Sequence, residues 1–336
     1  MCGSNIFWIK CEPLHKFITE QKTILAPIHW VPVEILAEIF VLRMNYNISS
    51  FDPIQSPLLV GRVCRGWWQV ALSTQKLWPS ITLTNHWSSS KMVKLWMSRA
   101  ISTLLTIHLN FTYHYCSNAR KIESVIAVLV QYCDQWQHLN MNFDHTHPLC
   151  LKSIRHNLPL LELLWIQSPA MFVHIFEVAP CLHTLSLNSW FSRTCLKVPW
   201  SQLMELETQV DCSTDVLYTM KFMPNLVKCT MHKSINLGAI LPHNISILTL
   251  SHLHFFCILH ICPDDLFNHL HLPTISALWI EYQDNWQMSN TRWYSQQPFM
   301  SLLSSRTLHK LEIENGLNKY DSTHIAHILQ AMPVLE

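Results

Sequence analysis

Histidine and cysteine are the residues best suited to chemistry in this sequence, because the 336 residues include 21 histidines and 12 cysteines. They concentrate in residues 144–147 and in residues 252–257, with His260 and Cys262 following the second segment. A zinc site needs four converging ligands. Neither segment has a recognised ligand spacing, and alternation of histidine with apolar residues favours a strand or turn. We therefore predict no metal and no cofactor, with zinc binding by the second segment as the alternative.

The cysteines are spread singly through the chain and form no CxxC pair. Many lie in apolar segments, as Cys64, Cys181 and Cys229 do. This pattern predicts reduced thiols that serve as small core residues, and a metal or redox role is the alternative. A Cys–His pair can be drawn almost anywhere in such a chain, so we predict no catalytic residue and no enzyme.

The composition excludes several classes of function. Only 13% of the residues are charged, 49% are hydrophobic, and the net charge is +1. Ordinary domains are about 25% charged. Such an apolar chain is not disordered, and its near-zero charge argues against nucleic acid as a partner. With 5 glycines and no glycine-rich motif, the sequence offers no phosphate-binding loop.

Membrane insertion and secretion are not expected from the sequence. No apolar run reaches the length that a membrane-spanning helix needs. The first 26 residues carry Lys10, Glu12, Lys16 and Glu20 among apolar residues, unlike a signal peptide. We expect a protein that is not secreted, that lies in the cytoplasm, the nucleus or both, and that has no membrane partner.

One pattern, apolar-x-x-apolar-x-apolar, returns nine times after residue 103. Its units begin at Leu104, Trp136, Leu161, Leu182, Leu203, Leu226, Ile245, Ile275 and Leu308. The spacing resembles that of leucine-rich repeats, whose periods are 20–29 residues. A tenth pattern starts at Leu335, which predicts that a repeat is cut short at the chain end.

Alternation inside the units predicts strands with one buried face. The fourth and sixth positions should point inward, and seventeen of these eighteen residues are apolar, Thr208 being the exception. The seventh position should point outward, and it is polar in all nine units. Residues 91–100 and 119–132 have helical spacing, and strand–helix–strand order predicts a parallel sheet. The alternative is a mixed sheet of unrelated strands.

Residues 27–82 predict a small unit of three helices. Pro32 suits a helix start, and Ile35, Leu36, Ile39 and Phe40 would then form one apolar face. Pro57, after Ser56, suits the start of a second helix. A third carries Trp67, Val70 and Ala71 and ends near Ser73. Such a unit is too small to bury all its large apolar groups, which predicts a partner.

This segment resembles the F-box family. The family's sequence elements correspond to Val31–Pro32, to the helix from Glu34, to Val63-Cys64-Arg65 with Trp67, and to Leu77–Trp78. Val31 replaces the usual leucine. The resemblance predicts an α/β protein with an N-terminal extension (1–26), an F-box (27–82), a connecting helix (83–103) and an irregular leucine-rich-repeat-like α/β solenoid with a parallel sheet (104–336).

The resemblance implies a substrate-recognition subunit of a ubiquitin ligase, in which the F-box binds a Skp-family adaptor and through it a cullin. The implied adaptor-binding residues are Pro32, Ile35, Leu36, Ile39, Leu59, Val63, Cys64, Trp67, Leu77 and Trp78. Each of them has an alternative role in the core of the three-helix unit. A repeat scaffold that acts outside any ligase is the alternative function.

An unidentified substrate protein should bind the outward strand positions. The predicted substrate-binding residues are Trp165, Glu207, Thr230, Trp279 and Glu312. Tryptophan on an exposed strand is a typical hot-spot residue. The alternative is that loops cover both tryptophans. An acidic patch of Glu207, Glu281, Glu312 and Glu314 would favour a basic partner, and the alternative is an ordinary solvated face.

Overall fold

A computed structural model describes most of the chain in two compact units, residues 1–78 and 79–336. The described residues are 30–45, 57–84, 89–111, 119–143, 157–167, 174–188, 196–210, 213–233, 246–259, 266–281, 297–303 and 307–314, together with residues 16, 151, 154, 330 and 332. The first unit is helical. The second contains a large parallel sheet.

The first unit contains the three predicted helices. They are α1 (Val33–Asn45), α2 (Pro57–Val60) and α3 (Arg65–Ser73), and a short 3-10 helix (Gln75–Leu77) follows them. Pro32 precedes α1, and its carbonyl accepts the first helical hydrogen bond from Leu36. Pro57 opens α2, where its missing N–H costs nothing.

The core of this unit consists of side chains from all three helices and the segment that follows. Its buried apolar residues are Leu36, Phe40, Val60, Val70, Ala71, Leu77 and Trp78. The rings of Phe40 and Trp67 pack with centroids 5.0 Å apart. The indole N–H of Trp78 donates to the carbonyl of Ala71 at 2.9 Å, so this buried polar group is satisfied.

Cysteine and glycine set the connection between α2 and α3. Cys64 is the N-cap of α3, and its sulfur accepts a hydrogen bond from the amide of Trp67 at 3.5 Å. Gly61 allows the ring of Trp68 to approach the backbone closely, because a Cβ at this position would lie 2.3 Å from Trp68 Cε3. Gly66, by contrast, has room for a methyl group.

Among its described residues, the second unit is organised by one sheet of ten parallel strands. In their order across the sheet, the strands are β1 (Ser80–Thr84), β2 (Leu105–Phe111), β3 (Trp136–Phe143), β4 (Leu163–Ile166), β5 (Thr184–Leu187), β6 (Glu205–Val210), β7 (Lys228–Lys233), β9 (Phe255–Leu259), β11 (Ala277–Glu281) and β12 (Lys310–Glu314). Two short strands, β8 (Leu248–Thr249) and β10 (Leu270–His271), pair separately. The predicted mixed α/β fold with a parallel sheet is confirmed.

Helices connect several of the strands, as parallel pairing requires. They are α4 (Ser90–Arg99), α5 (Ala119–Leu129), α6 (Ser213–Met220) and α7 (Gln297–Leu303), with 3-10 helices at Val130–Gln135, Trp200–Gln202 and Phe267–His269. The predicted apolar face of α5 is buried, since Val125, Ile126 and Leu129 have no exposed surface. The helices predicted at residues 91–100 and 119–132 are therefore present with slightly different ends.

The predicted inward positions form the core of the sheet. In β2 to β7, the residues at the fourth and sixth positions of each unit are at most 2% exposed. They include the single polar one, Thr208. Leu278 and Ile280 of β11 are equally buried. At the edge strand β12, Leu311 and Ile313 are only half-buried. The period of two residues along each strand explains this division.

Two strands of the large sheet differ from the prediction. The unit predicted at Ile245 is wrong as a strand of this sheet, because Leu248 pairs with Leu270 and the place beside β7 belongs to β9. The pattern that enters the sheet begins at the buried Leu253. Strand β1 was also missed, although residues 78–83 carry the same pattern. In β2, Leu105 is buried while the predicted Leu104 is 45% exposed.

Polar side chains link successive units of the repeated pattern. In four units, the residue before the first apolar position donates a hydrogen bond to backbone carbonyls of the preceding described unit. Gln202 donates to Ala179 and Leu182 at 2.7 and 2.8 Å, and Asn225 donates to Ser201 at 2.9 Å. Thr274 makes the same contact with Ser251 and Leu253, and Thr307 does so with Pro273. These bonds satisfy backbone carbonyls in irregular turns.

Candidate functional site

Helix α1 has two apolar faces, and only one of them is buried. Leu36 and Phe40 are 5% and 2% exposed and face the core. Ile35, Ile39 and Leu42, spaced four and three residues apart, lie on one side of the helix and are 54%, 46% and 56% exposed. We call these three residues the exposed stripe. The single apolar face predicted from the sequence is therefore split in two.

The ten residues implied in adaptor binding differ in accessibility. Pro32, Ile35, Ile39 and Val63 are exposed, Leu59, Cys64 and Trp67 are half-buried, and Leu36, Leu77 and Trp78 are buried. Buried side chains offer a partner no surface, so these last three correspond to the alternative of core residues. The prediction did not include the exposed Trp30, Val33 and Leu42.

The second candidate surface is the open face of the large sheet, which consists of the third, fifth and seventh positions of each unit. The strand register aligns the fifth positions in one row across the sheet. From β2 to β12 the row contains His108, Asn140, Trp165, Ser186, Glu207, Thr230, Cys257, Trp279 and Glu312. All five predicted substrate-binding residues lie in this row.

The two predicted tryptophans are half-buried on this face. Trp165 in β4 and Trp279 in β11 lie five strands apart in the sheet, about 24 Å at the usual strand spacing. The indole nitrogen of Trp279 is buried and has no hydrogen-bond partner among the described residues. Most such groups are paired. Trp279 thus carries a donor for which the described part of the chain supplies no acceptor.

Glu207 is a carboxylate on the open face with two side-chain partners. It accepts a hydrogen bond from the buried Ser186 hydroxyl at 3.1 Å, and His232 Nε2 lies 3.3 Å from its other oxygen. The contact with His232 lowers the pKa of the Glu207 carboxyl most, Ser186 lowers it further, and partial burial opposes both. Glu207 is therefore held ionised while its side chain stays 56% exposed.

Cys257 lies in the same row, and the sequence prediction did not include it. Burial raises the pKa of its thiol to about 11, and Glu281, Glu207 and Glu312 contribute to the increase. Those glutamates come from β11, β6 and β12, so their negative potential overlaps at the centre of this part of the sheet. At neutral pH this thiol stays protonated and is a poor nucleophile.

Pairs of hydrogen-bonded amide side chains lie in the row of seventh positions on the open face. The Asn142 amide donates to Asn110 at 3.3 Å, and the Gln209 amide donates to Asn188 at 2.9 Å. All four residues occupy the seventh position that was predicted to be polar and outward. These pairs join β2 to β3 and β5 to β6 through side chains as well as through the backbone.

The histidine and cysteine segments singled out in the sequence form no described metal site. Residues 144–147, His260 and Cys262 lie outside the described residues. In the part that the structure describes, no three His, Cys, Asp or Glu side chains are grouped so that they could hold a metal ion. The five described cysteines are free thiols, and Cys133, Cys229 and Cys257 are buried, whereas Cys181 is exposed.

The described helices also bear on membrane association. Within residues 30–45, 57–84 and the later described ranges, no helix is both long enough and apolar enough to cross a membrane.

Comparison with known proteins assigns no function to either surface, so both are interpreted from their own residues. The chain matches no model of a known protein family, and no curated protein sequence matches it either.

Proposed function

We propose that this protein is the substrate-recognition subunit of a ubiquitin ligase of the Skp–cullin–F-box type. Its first unit binds a Skp-family adaptor, and the open face of its sheet binds the substrate protein. In this role the chain itself catalyses no reaction and acts in the cytoplasm or nucleus. The proposal rests on the F-box resemblance of residues 27–82 and on one structural observation, the exposed stripe.

The exposed stripe supports this proposal because exposed apolar residues on monomeric proteins are usually scattered. Here Ile35, Ile39 and Leu42 share one helix face, and Val63 between α2 and α3 is 63% exposed. Clustered apolar surface of this kind marks an interaction site. The stripe includes two of the residues that the F-box resemblance implies in adaptor binding, Ile35 and Ile39.

Co-expression with a Skp-family adaptor, followed by size-exclusion chromatography, tests the proposal. We expect a stable complex with the wild-type chain. The double variant Ile35→Asp/Ile39→Asp should weaken it at least about 30-fold, because loss of a hot spot costs 2 kcal/mol or more. Ile101→Asp is the matched control, since Ile101 is 57% exposed but belongs to the second unit.

A wild-type chain that is well behaved alone and forms no adaptor complex would overturn the proposal in favour of a ligase-independent repeat scaffold. If the double variant keeps its circular dichroism spectrum and its adaptor affinity, the exposed stripe is not the docking surface. If Ile101→Asp weakens the complex equally, the loss reflects general destabilisation.

A further inference from the structure

The charges on the open face are divided between its two halves. Across β1 to β5 none of the third, fifth and seventh positions is Asp, Glu, Lys or Arg. Across β6 to β12 the same positions carry five glutamates and two lysines. They are Glu205, Glu207, Glu281, Glu312 and Glu314, with Lys228 and Lys310. The second half, which we call the acidic half, therefore has a net charge of −3 from five negative and two positive groups.

The two lysines lie near three of the five carboxylates, Glu205, Glu207 and Glu312, and leave the net negative charge of the acidic half in place. Both are at third positions, where Lys228 pairs in register with Glu205 and lies over the ring of Phe255 at 5.7 Å. Lys310 forms an ion pair with Glu312 at 2.6 Å. The fifth and seventh positions of the acidic half carry no lysine or arginine. Burial is the main cause of the raised pKa of the Cys257 thiol in this part of the sheet, and Glu281, Glu207 and Glu312 raise it further while Lys228 opposes them.

Trp279 lies in the middle of the carboxylates. In the strand register it is directly opposite Glu312 on one side and Cys257 on the other, and Glu281 follows two residues later on the same face. A cation over an indole ring is attracted by the ring face, and nearby carboxylates add to that attraction.

We propose that the acidic half binds an extended segment of the substrate protein that carries Lys or Arg side chains, one of them over Trp279 between Glu281 and Glu312. This inference rests on the proposed function and adds to it the chemical class of the substrate. Glu207 and Glu312 lie on strands four steps apart. That span is about 19 Å, which an extended chain of about six residues covers.

Fluorescence anisotropy with labelled peptides tests this inference on the full chain in its adaptor complex. The probes are two peptides of about eight residues, one alternating lysine with threonine and one alternating glutamate with threonine. We expect the lysine peptide to bind and the glutamate peptide not to bind. Binding of the lysine peptide should weaken as salt concentration rises, because exposed charges are screened.

Two double variants with the same charge change separate local from general electrostatics. Glu207→Gln/Glu312→Gln should weaken binding of the lysine peptide about 10-fold or more, since close charge pairs at interfaces couple strongly. Glu123→Gln/Glu177→Gln alters exposed glutamates outside the open face and should change the affinity less than about 2-fold. Trp279→Leu should weaken binding without removing its salt dependence.

If the lysine peptide binds, any of three outcomes overturns the inference. They are equal binding of both peptides, no effect of Glu207→Gln/Glu312→Gln, and equal effects of the two double variants. Absence of lysine-peptide binding while the adaptor complex forms also rejects the basic substrate but leaves the ligase proposal intact. Loss of the adaptor complex instead counts against the proposed function, so the two failures are distinguishable.

Discussion

The two units use apolar residues in different ways. In the first unit, helix α1 sends Leu36 and Phe40 into the core and leaves Ile35 and Ile39 exposed on the same helix. In the sheet of the second unit, apolar residues fill the inward positions, and the opposite face is mostly polar. A three-helix unit has too little interior for its large apolar groups, whereas ten adjacent strands share one continuous core. Clustered apolar surface is therefore left exposed on the first unit, whereas the open face of the second unit is mostly polar.

The largest effect on stability is expected when a residue on the buried face of α1 is replaced and compared with one on its exposed face. Phe40→Ala should lower the free energy of unfolding of the first unit by about 3–5 kcal/mol, because it leaves a cavity beside Trp67. Ile39→Ala should change it by at most about 0.5 kcal/mol, since surface substitutions have small effects. Hydrogen–deuterium exchange of peptides from α1 in the free chain measures both. Equal losses would mean that Ile39 is also a core residue and would remove the contrast with the sheet.

A smaller effect should come from the two glycines near α3, which test how tightly the first unit is packed. Gly61→Ala places a methyl group against the Trp68 ring and should destabilise the unit by about 1–3 kcal/mol. Gly66→Ala meets only Cys64 Sγ, at 3.8 Å. It should therefore stabilise helix α3, by up to about 1 kcal/mol. Urea unfolding or the same exchange measurement compares the pair.

If Gly61→Ala is as well tolerated as Gly66→Ala, the Trp68 ring does not pack on the backbone at this turn. The first unit would then be looser than its buried core indicates. Loss of adaptor binding by Gly61→Ala alone, with unchanged stability, would place this turn within the docking surface.

The third prediction concerns the pH dependence of stability. At neutral pH its effect on stability should be the smallest of the three. Burial lowers the pKa of His108, and His138 lowers it further. Burial also lowers the pKa of His138, His183 adds to this, and Glu162 opposes it. A lowered folded-state pKa means that stability is complete above the unfolded value of about 6.5 and is lost as pH falls below it.

Hydrogen exchange at pH 7.5 and 5.5, corrected for intrinsic rates, should therefore show weaker protection of β2 and β3 at the lower pH. The variant His108→Gln/His138→Gln should reduce this difference, and His252→Gln, an exposed control, should not. Solvent screening limits the contribution of His138, which is only partly buried. The described residues of the first unit contain no histidine, so an equal loss of protection there would contradict the assignment.

Most of the sheet was predictable because a strand alternates its faces with a period of two. Leu164, Leu185 and Cys229 were assigned to the core from this period alone, and all three have no exposed surface. The fifth-position row could also be predicted, including Trp165 and Trp279. Cys257 was missed because its strand was assigned to a competing pattern eight residues earlier.

Competition between similar patterns explains the main error. Residues 245–250 and 253–258 both have the apolar-x-x-apolar-x-apolar sequence, and local propensity does not distinguish them. The second segment lies beside β7 and buries Leu253, Phe256 and Ile258 completely. The first contributes β8, which pairs with β10 instead. The neighbouring strands determine which of the two segments enters the sheet, since only one segment can occupy each place in it.

The sequence by itself determined the class of the fold, the helical N-terminal unit and the inward or outward orientation of most strand residues, because these follow from local periodicity. Only the tertiary structure decided which apolar residues of α1 remain exposed and which segment follows β7. It also decided that glutamates from β6, β11 and β12 converge around Cys257 and Trp279. Convergence of this kind depends on strand order and register, which bring residues more than a hundred positions apart into one row.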